Sequence, residues 1–181
     1  MSGTQGLPGD PAPRDRVERI IRVDHAGEYG AARIYSGQLA VLRRSDKAAL
    51  LQHMKDQEQQ HLDRFAELMV RRRVRPTAML PVWHLAGFAL GALTAAMGQR
   101  AAMACTVAVE EAIDAHYSGQ IAELDESEAE LRTDLTRFRE EELEHRDIAL
   151  TNGATEAFGY RLLSAAIKTG CRAAIAVSER I

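Results

Sequence analysis

The sequence predicts an all-α fold: a four-helix bundle built from two pseudo-repeated helix pairs, with an apolar crossover segment between them and a further helix at the C-terminus. Three observations predict it. Leu and Ala dominate the apolar positions, few Pro or Gly interrupt the long segments, and aromatic residues make up only 5% of the chain, a composition suited to helices packed on helices. The string Tyr35-Ser-Gly-Gln-Leu-Ala-Val-Leu42 returns in the second half as Tyr117-Ser-Gly-Gln-Ile-Ala-Glu-Leu124. A second string, Glu58-x-x-His61-x-Asp63, returns as Glu142-x-x-His145-x-Asp147. The two displacements are nearly equal, and a short change in the intervening loop accounts for the difference.

At 181 residues the chain suits one domain, expected over 14–181. Met1 to Pro13 is rich in Gly and Pro and reads as a disordered tail with neither a signal peptide's apolar run nor a transit peptide's arginines. The expected setting is therefore intracellular and bacterial, or a processed chain. The first helix runs from about Arg14 to Arg43, with Gly27, Gly30 and Gly37 allowing close packing. Ser45 or Asp46 caps the second, which ends before Pro76 near Arg73, because a residue preceding proline is pushed out of the helical region. The third spans about Arg100 to Leu124. Ser127-Glu-Ala-Glu130 has capping-box spacing, so the fourth starts there and ends near Leu150, where Asn152-Gly153 supplies a left-handed stop. A last helix from about Glu156 to Ser178 carries apolar Leu162, Leu163, Ala166, Ile167, Ala174 and Ile175.

The repeat identifies a candidate metal site. Residues three apart share a helix face, so each Glu-x-x-His can aim a carboxylate and an imidazole at one point. Glu28 and Glu110 carry the same displacement as Tyr35 and Tyr117. Each glutamate thus stands two helical turns before its tyrosine, which puts Tyr35 and Tyr117 on the faces of those glutamates. Register selects Glu110 over Glu111, and Glu142 over Glu140, Glu141 and Glu144, since Gln57 precedes Glu58 and carries no charge. Glu28, Glu58, His61, Glu110, Glu142 and His145 together form a ligand set for two iron or manganese ions inside a bundle. Glu58 and Glu142 are the natural bridging pair, with Glu28 and Glu110 outermost. The histidines need outer partners, for which Asp24 and Asp114, one turn from the outer glutamates, are candidates. Tyr35, His116 and Tyr117 are placed near the site. For these five, packing and chemistry are equally open readings.

Other classes are excluded or constrained. A net charge of -3 gives no support for nucleic-acid binding. Cys105 and Cys171 stand far apart in apolar stretches and read as buried small hydrophobes rather than a disulfide or thiolate ligands. Met79 to Gly98 holds no charged side chain, contains Gly87-x-x-x-Gly91, and follows Arg71-Arg-Arg-Val-Arg75. Its length approaches a bilayer span. Pro81 and His84 break it up, however, and a span would separate the helices that complete the site. A helix lying in the membrane interface is the expectation, with a crossover buried in the core as the alternative.

Longer strings carry a resemblance. Arg22-Val-Asp-His-Ala-Gly-Glu-Tyr-Gly30, Phe65-Ala-Glu-Leu-Met69, Arg73-Val-Arg-Pro76, Ala104-Cys-Thr-Val-Ala-Val-Glu-Glu111, Glu141-Glu-Leu-Glu-His145 and Ser178-Glu-Arg180 resemble the 5-demethoxyubiquinone hydroxylase family over nearly all of Arg19 to Ile181. The resemblance implies a ferritin-like di-iron monooxygenase of ubiquinone biosynthesis, acting on demethoxyubiquinol and dioxygen, with its iron ligands at the same six positions. It implies peripheral attachment to the membrane lipid interface, on the cytoplasmic face of a bacterial inner membrane or the matrix side of the mitochondrial one. It further implies NADH or another reduced nicotinamide as reductant, although no glycine-rich dinucleotide fingerprint is present. A ubiquinone-biosynthesis complex, a lipid-binding partner and a homo-oligomer are the assemblies it raises. The competing readings are a ferritin-like iron-oxidising or peroxide-scavenging protein and a membrane-bound quinone carrier.

Overall fold

The computed structural model describes residues 13–181. Residues 1–12 of the tail expected over 1–13 lie outside the described residues, and Pro13 opens the first helix instead. The described residues form six α-helices and no strand: α1 Pro13–Leu42, α2 Ala48–Arg72, α3 Leu80–Ala96, α4 Gln99–Glu123, α5 Ala129–Thr151 and α6 Tyr160–Ser178. Short loops join α1 to α2 and α4 to α5, so each pair is an antiparallel hairpin. The four helices of the two hairpins make a ferritin-like bundle. On its other side, α3 packs along α1 and reaches α4, and α6 packs on α4 and α1. The central helix α4 is buried without interruption from Ala101 to Glu110.

Several helix ends differ from expectation. No side chain caps α2. Its N-cap is Lys47, and the Ser45 hydroxyl instead accepts the Lys47 N–H at 3.2 Å. At the other end Arg73 adopts a left-handed φ of 57° and donates its N–H to the Met69 and Val70 carbonyls, stopping the helix before Pro76. The capping box at Ser127 and Glu130 does not form. Asp125 accepts the Ser127 N–H at 2.9 Å, and Glu126–Glu128 winds as a 3-10 turn before α5. After α5, Gly153 (φ 84°) takes the left-handed conformation while Asn152 (φ −92°) does not. A 3-10 turn, Ala154–Glu156, then delays α6 to Tyr160. Leu162, one of the apolar residues of that helix, is 78% exposed.

The apolar segment is not broken. Pro81 sits in the first turn of α3, where a missing N–H costs nothing, and His84 Nδ1 meets the Tyr29 hydroxyl of α1 at 2.6 Å. Gly37 and Gly91 allow α1 and α3 to touch through backbone. A Cβ at Gly91 would overlap the Ile34 carbonyl, and one at Gly37 the Phe88 carbonyl. Gly27, by contrast, is exposed and has no neighbour where a Cβ would stand, so it contributes nothing to packing. The Trp83 indole N–H donates to Ser178 Oγ at 3.0 Å, tying α3 to the end of α6. Among the described residues, no helix is long and apolar enough to cross a membrane.

Two of the four arginines of the expected cationic flank, Arg71 and Arg72, are spent within the protein, as is Arg64 further back on α2. Arg71 pairs with Glu130 (2.8 Å), Arg72 with Glu128 (2.7 Å), and Arg64 with Glu130 (2.7 Å) and Asp134 (2.8 Å), all joining α2 to α5 or the turn before it. Two apolar clusters fill the bundle. One gathers Ile21, Phe65, Leu68, Leu135 and Phe138, and the other Leu51, Met54, Met103, Val107 and Ala149.

Candidate metal centre

Each helix of the two hairpins contributes to one buried constellation. Glu28 comes from α1, Glu58 and His61 from α2, Glu110 from α4, and Glu142 and His145 from α5; all six are at most 1% exposed. They form two overlapping groups. Glu28, Glu58, His61 and Glu142 offer ligand atoms within 4.8 Å of one another, as do Glu58, Glu110, Glu142 and His145. Glu58 and Glu142 belong to both groups. Both histidines turn Nδ1 inward: that of His61 lies 3.3 Å from Glu28 and 3.1 Å from Glu142, and that of His145 3.2 Å from Glu58 and 3.3 Å from Glu142.

The inward atoms have no hydrogen-bond partner: Oε2 of Glu28 and Glu110, both oxygens of Glu58 and Glu142, and Nδ1 of both histidines. Buried polar atoms in native proteins are normally satisfied, so their concentration at one point fits a site built for cations. The electrostatics agree. Burial, then the charges of neighbouring carboxylates, pushes Glu58 and Glu110 well above the usual carboxylate range. For Glu142 burial acts in the same direction, but the adjacent imidazoles of His145 and His61 hold it at about 2. Burial disfavours charge on His61, yet Glu142 and Glu28 raise it to about 12. Four carboxylates cannot stay ionised in one dry volume without compensation, and two divalent cations would neutralise them.

The outer glutamates are held from the opposite repeat. Tyr35 donates to Glu110 Oε1 at 2.7 Å, and Tyr117 donates to Glu28 Oε1. Spacing along one helix assigns each tyrosine to the glutamate of its own helix; the bonds cross instead. Burial and the surrounding carboxylates raise both phenols well above their ordinary value, so they remain hydrogen-bond donors.

The outer partners of the histidines also differ from expectation. His61 Nε2 donates to Glu141 Oε2 at 2.5 Å, and His145 Nε2 to Gln57 Oε1 at 3.0 Å. Asp24 instead accepts from Gln120 at 2.7 Å, beside His116 at 3.4 Å, and Asp114 accepts from Arg139 at 2.6 Å. His116 bonds Gln120 at 2.8 Å and belongs to neither group. Glu141 and Gln57 are the residues that sequence reasoning misses. The signal is present in the register, since they directly precede Glu142 and Glu58. Cys105 is buried as expected, Cys171 only half-buried, and both are free thiols.

The chain was compared with known proteins. A family model described as ubiquinone biosynthesis protein COQ7 matches residues 15–178. The 3-demethoxyubiquinol 3-hydroxylase of Rhodospirillum rubrum is 56% identical over 97% of this chain and 83% of its own length. The human NADPH-dependent 3-demethoxyubiquinone 3-hydroxylase, mitochondrial, is 53% identical over 98% of this chain and 84% of its own. The mitochondrial 5-demethoxyubiquinone hydroxylase of Saccharomyces cerevisiae is 42% identical over 91% and 78%.

Proposed function

This chain belongs to the COQ7 family of ubiquinone biosynthesis proteins, and from that membership we propose that it is a monooxygenase that hydroxylates the demethoxyubiquinol ring, working with two iron ions. The observation that carries the reading is the doubled, buried Glu and Glu-x-x-His set with its inward atoms unpaired. Glu28 and His61 would hold one ion and Glu110 and His145 the other, with Glu58 and Glu142 within reach of both. Bound iron(II) would supply the reduction of dioxygen, which side chains do not perform unaided.

The protein's own part is positional. Tyr117 and Tyr35 anchor one oxygen of Glu28 and Glu110, leaving the second free to face inward. Phe138 stacks on His61 with ring centroids 4.1 Å apart, and the apolar clusters above and below keep water from the carboxylates. A lipid substrate fits the outer layer. Val82, Leu85, Leu93 and Met97 of α3 and its C-terminal end are exposed and share one face of that helix, and Phe158, just before α6, and Leu162 in its first turn are exposed as well, apolar side chains of the kind that mark interaction surfaces. With no helix among the described residues able to span a bilayer, this face serves as a peripheral anchor, on the cytoplasmic side of a bacterial inner membrane or the matrix side of a mitochondrial one. A reduced nicotinamide is the electron source; the human relative is named for NADPH.

The test is to express the chain in a ubiquinone-deficient strain blocked at this hydroxylation and analyse its quinones. Ubiquinone should reappear. Persistent demethoxyubiquinone alongside iron-loaded, membrane-associated protein would reject the substrate, and rapid ferrous oxidation by that same protein would favour a ferritin-like role.

A further inference from the structure

The repeat makes the two halves of the metal centre nearly equivalent, but the residues that back the two histidines differ. Gln57 and Glu141 occupy matching places in the two halves, each directly before a shared glutamate. Each reaches across the bundle to the histidine of the other half. At one the acceptor is a carboxylate, Glu141 Oε2, 2.5 Å from His61 Nε2; at the other it is a neutral amide, Gln57 Oε1, 3.0 Å from His145 Nε2. Arg137, one turn earlier on α5, approaches the other oxygen of Glu141 at 3.4 Å; this pair is solvent-exposed and offsets only a small part of the carboxylate's charge.

A carboxylate draws the Nε2 proton more strongly than an amide does. The imidazole beside it therefore gives more electron density through Nδ1 and makes a stronger metal ligand. We infer that the two metal positions are unequal in affinity: the His61 position, backed by Glu141, fills first and holds its ion more tightly, while the His145 position, backed by Gln57, holds the exchangeable one. Glu141 and Gln57 thus act as positioning residues, through the histidines they touch. The inference rests on the di-metal reading above and extends it to an order of loading.

Metal-stripped protein titrated with manganese(II), with free ion counted by electron paramagnetic resonance, should bind two ions in separated steps. Glu141→Gln should weaken the tighter step by about 10–100-fold and close the gap, as loss of such an outer partner does elsewhere. Gln57→Glu should tighten the weaker step, a gain that structural damage cannot produce. With one equivalent of iron-57(II), Mössbauer spectra should show one dominant quadrupole doublet in the wild type and two comparable doublets in Glu141→Gln. If the wild type binds two ions and both variants leave each stepwise constant within about twofold of it, the inequivalence is overturned and the di-metal reading stands. If the wild type takes up fewer than two ions, the di-metal reading falls and this inference with it.

Discussion

Glu28 and Glu110 each divide their two oxygens between a tyrosine of the other repeat and the centre of the bundle. Tyr117→Phe removes the donor and strands a buried oxygen, which should lower the urea-unfolding free energy of the metal-free protein by about 1–3 kcal/mol while two manganese ions still bind. Glu142 belongs to both ligand groups, so Glu142→Gln should abolish binding at both positions, read as metal per chain by plasma mass spectrometry. The raised carboxyls give the metal-free protein a pH dependence of definite sign. In the unfolded chain Glu58 and Glu110 ionise near 4.5, whereas the folded protein keeps their protons to much higher pH. Their contribution is complete below 4.5 and is lost as pH rises toward the folded values, at ~1.4 kcal/mol per pH unit for each proton. His61, raised from 6.5 to about 12, acts in the same direction above 6.5; Glu142 matters only as pH falls toward about 2. Urea midpoints of stripped protein should fall from about pH 5 to 8, and manganese, which displaces those protons, should reverse the slope.

At the scale of elements, the contact of α1 with α3 is made by backbone meeting backbone. Gly91→Val should therefore cost about 1–3 kcal/mol or more through overpacking, whereas Gly27→Ala, on the exposed face of the same α1, should be neutral or stabilise by up to ~1 kcal/mol. Thermal melts of the two variants would separate these outcomes. The contrast also marks how far the sequence can be read. Repeat register makes the bundle pairs and the six inward residues legible, because one displacement carries whole helices, and every residue on them, onto their counterparts. Spacing along one helix says which side chains share a face, but not which neighbouring helix that face meets. That is why spacing matches Tyr35 to Glu28 rather than Glu110, and why it offers Asp24 and Asp114 where Glu141 and Gln57 belong. Helix ends are least legible: Ser127 and Glu130 have the spacing of a capping box, but Asp125 takes the Ser127 N–H first.

For the molecule as a whole, two layers divide the work. The side with α2 and α5 is laced by arginine–carboxylate pairs, and the side with α3 and α6 presents apolar residues outward. Leu85→Glu with Leu93→Glu should release the protein from liposomes in a flotation assay and leave its metal stoichiometry unchanged, since both side chains are solvent-exposed and neither belongs to a ligand group. The crossed bonds from Tyr35 and Tyr117 have a consequence of another kind. Two separate copies of a helical hairpin, meeting about a twofold axis, would make the same bonds between subunits, and every residue would then appear identically on both sides. A homodimer of that form could never place Glu on one side and Gln on the other. Carrying both hairpins on one polypeptide, joined through α3, is what frees positions 57 and 141 to diverge, so the covalent link confers a chemical liberty that symmetric assembly forbids.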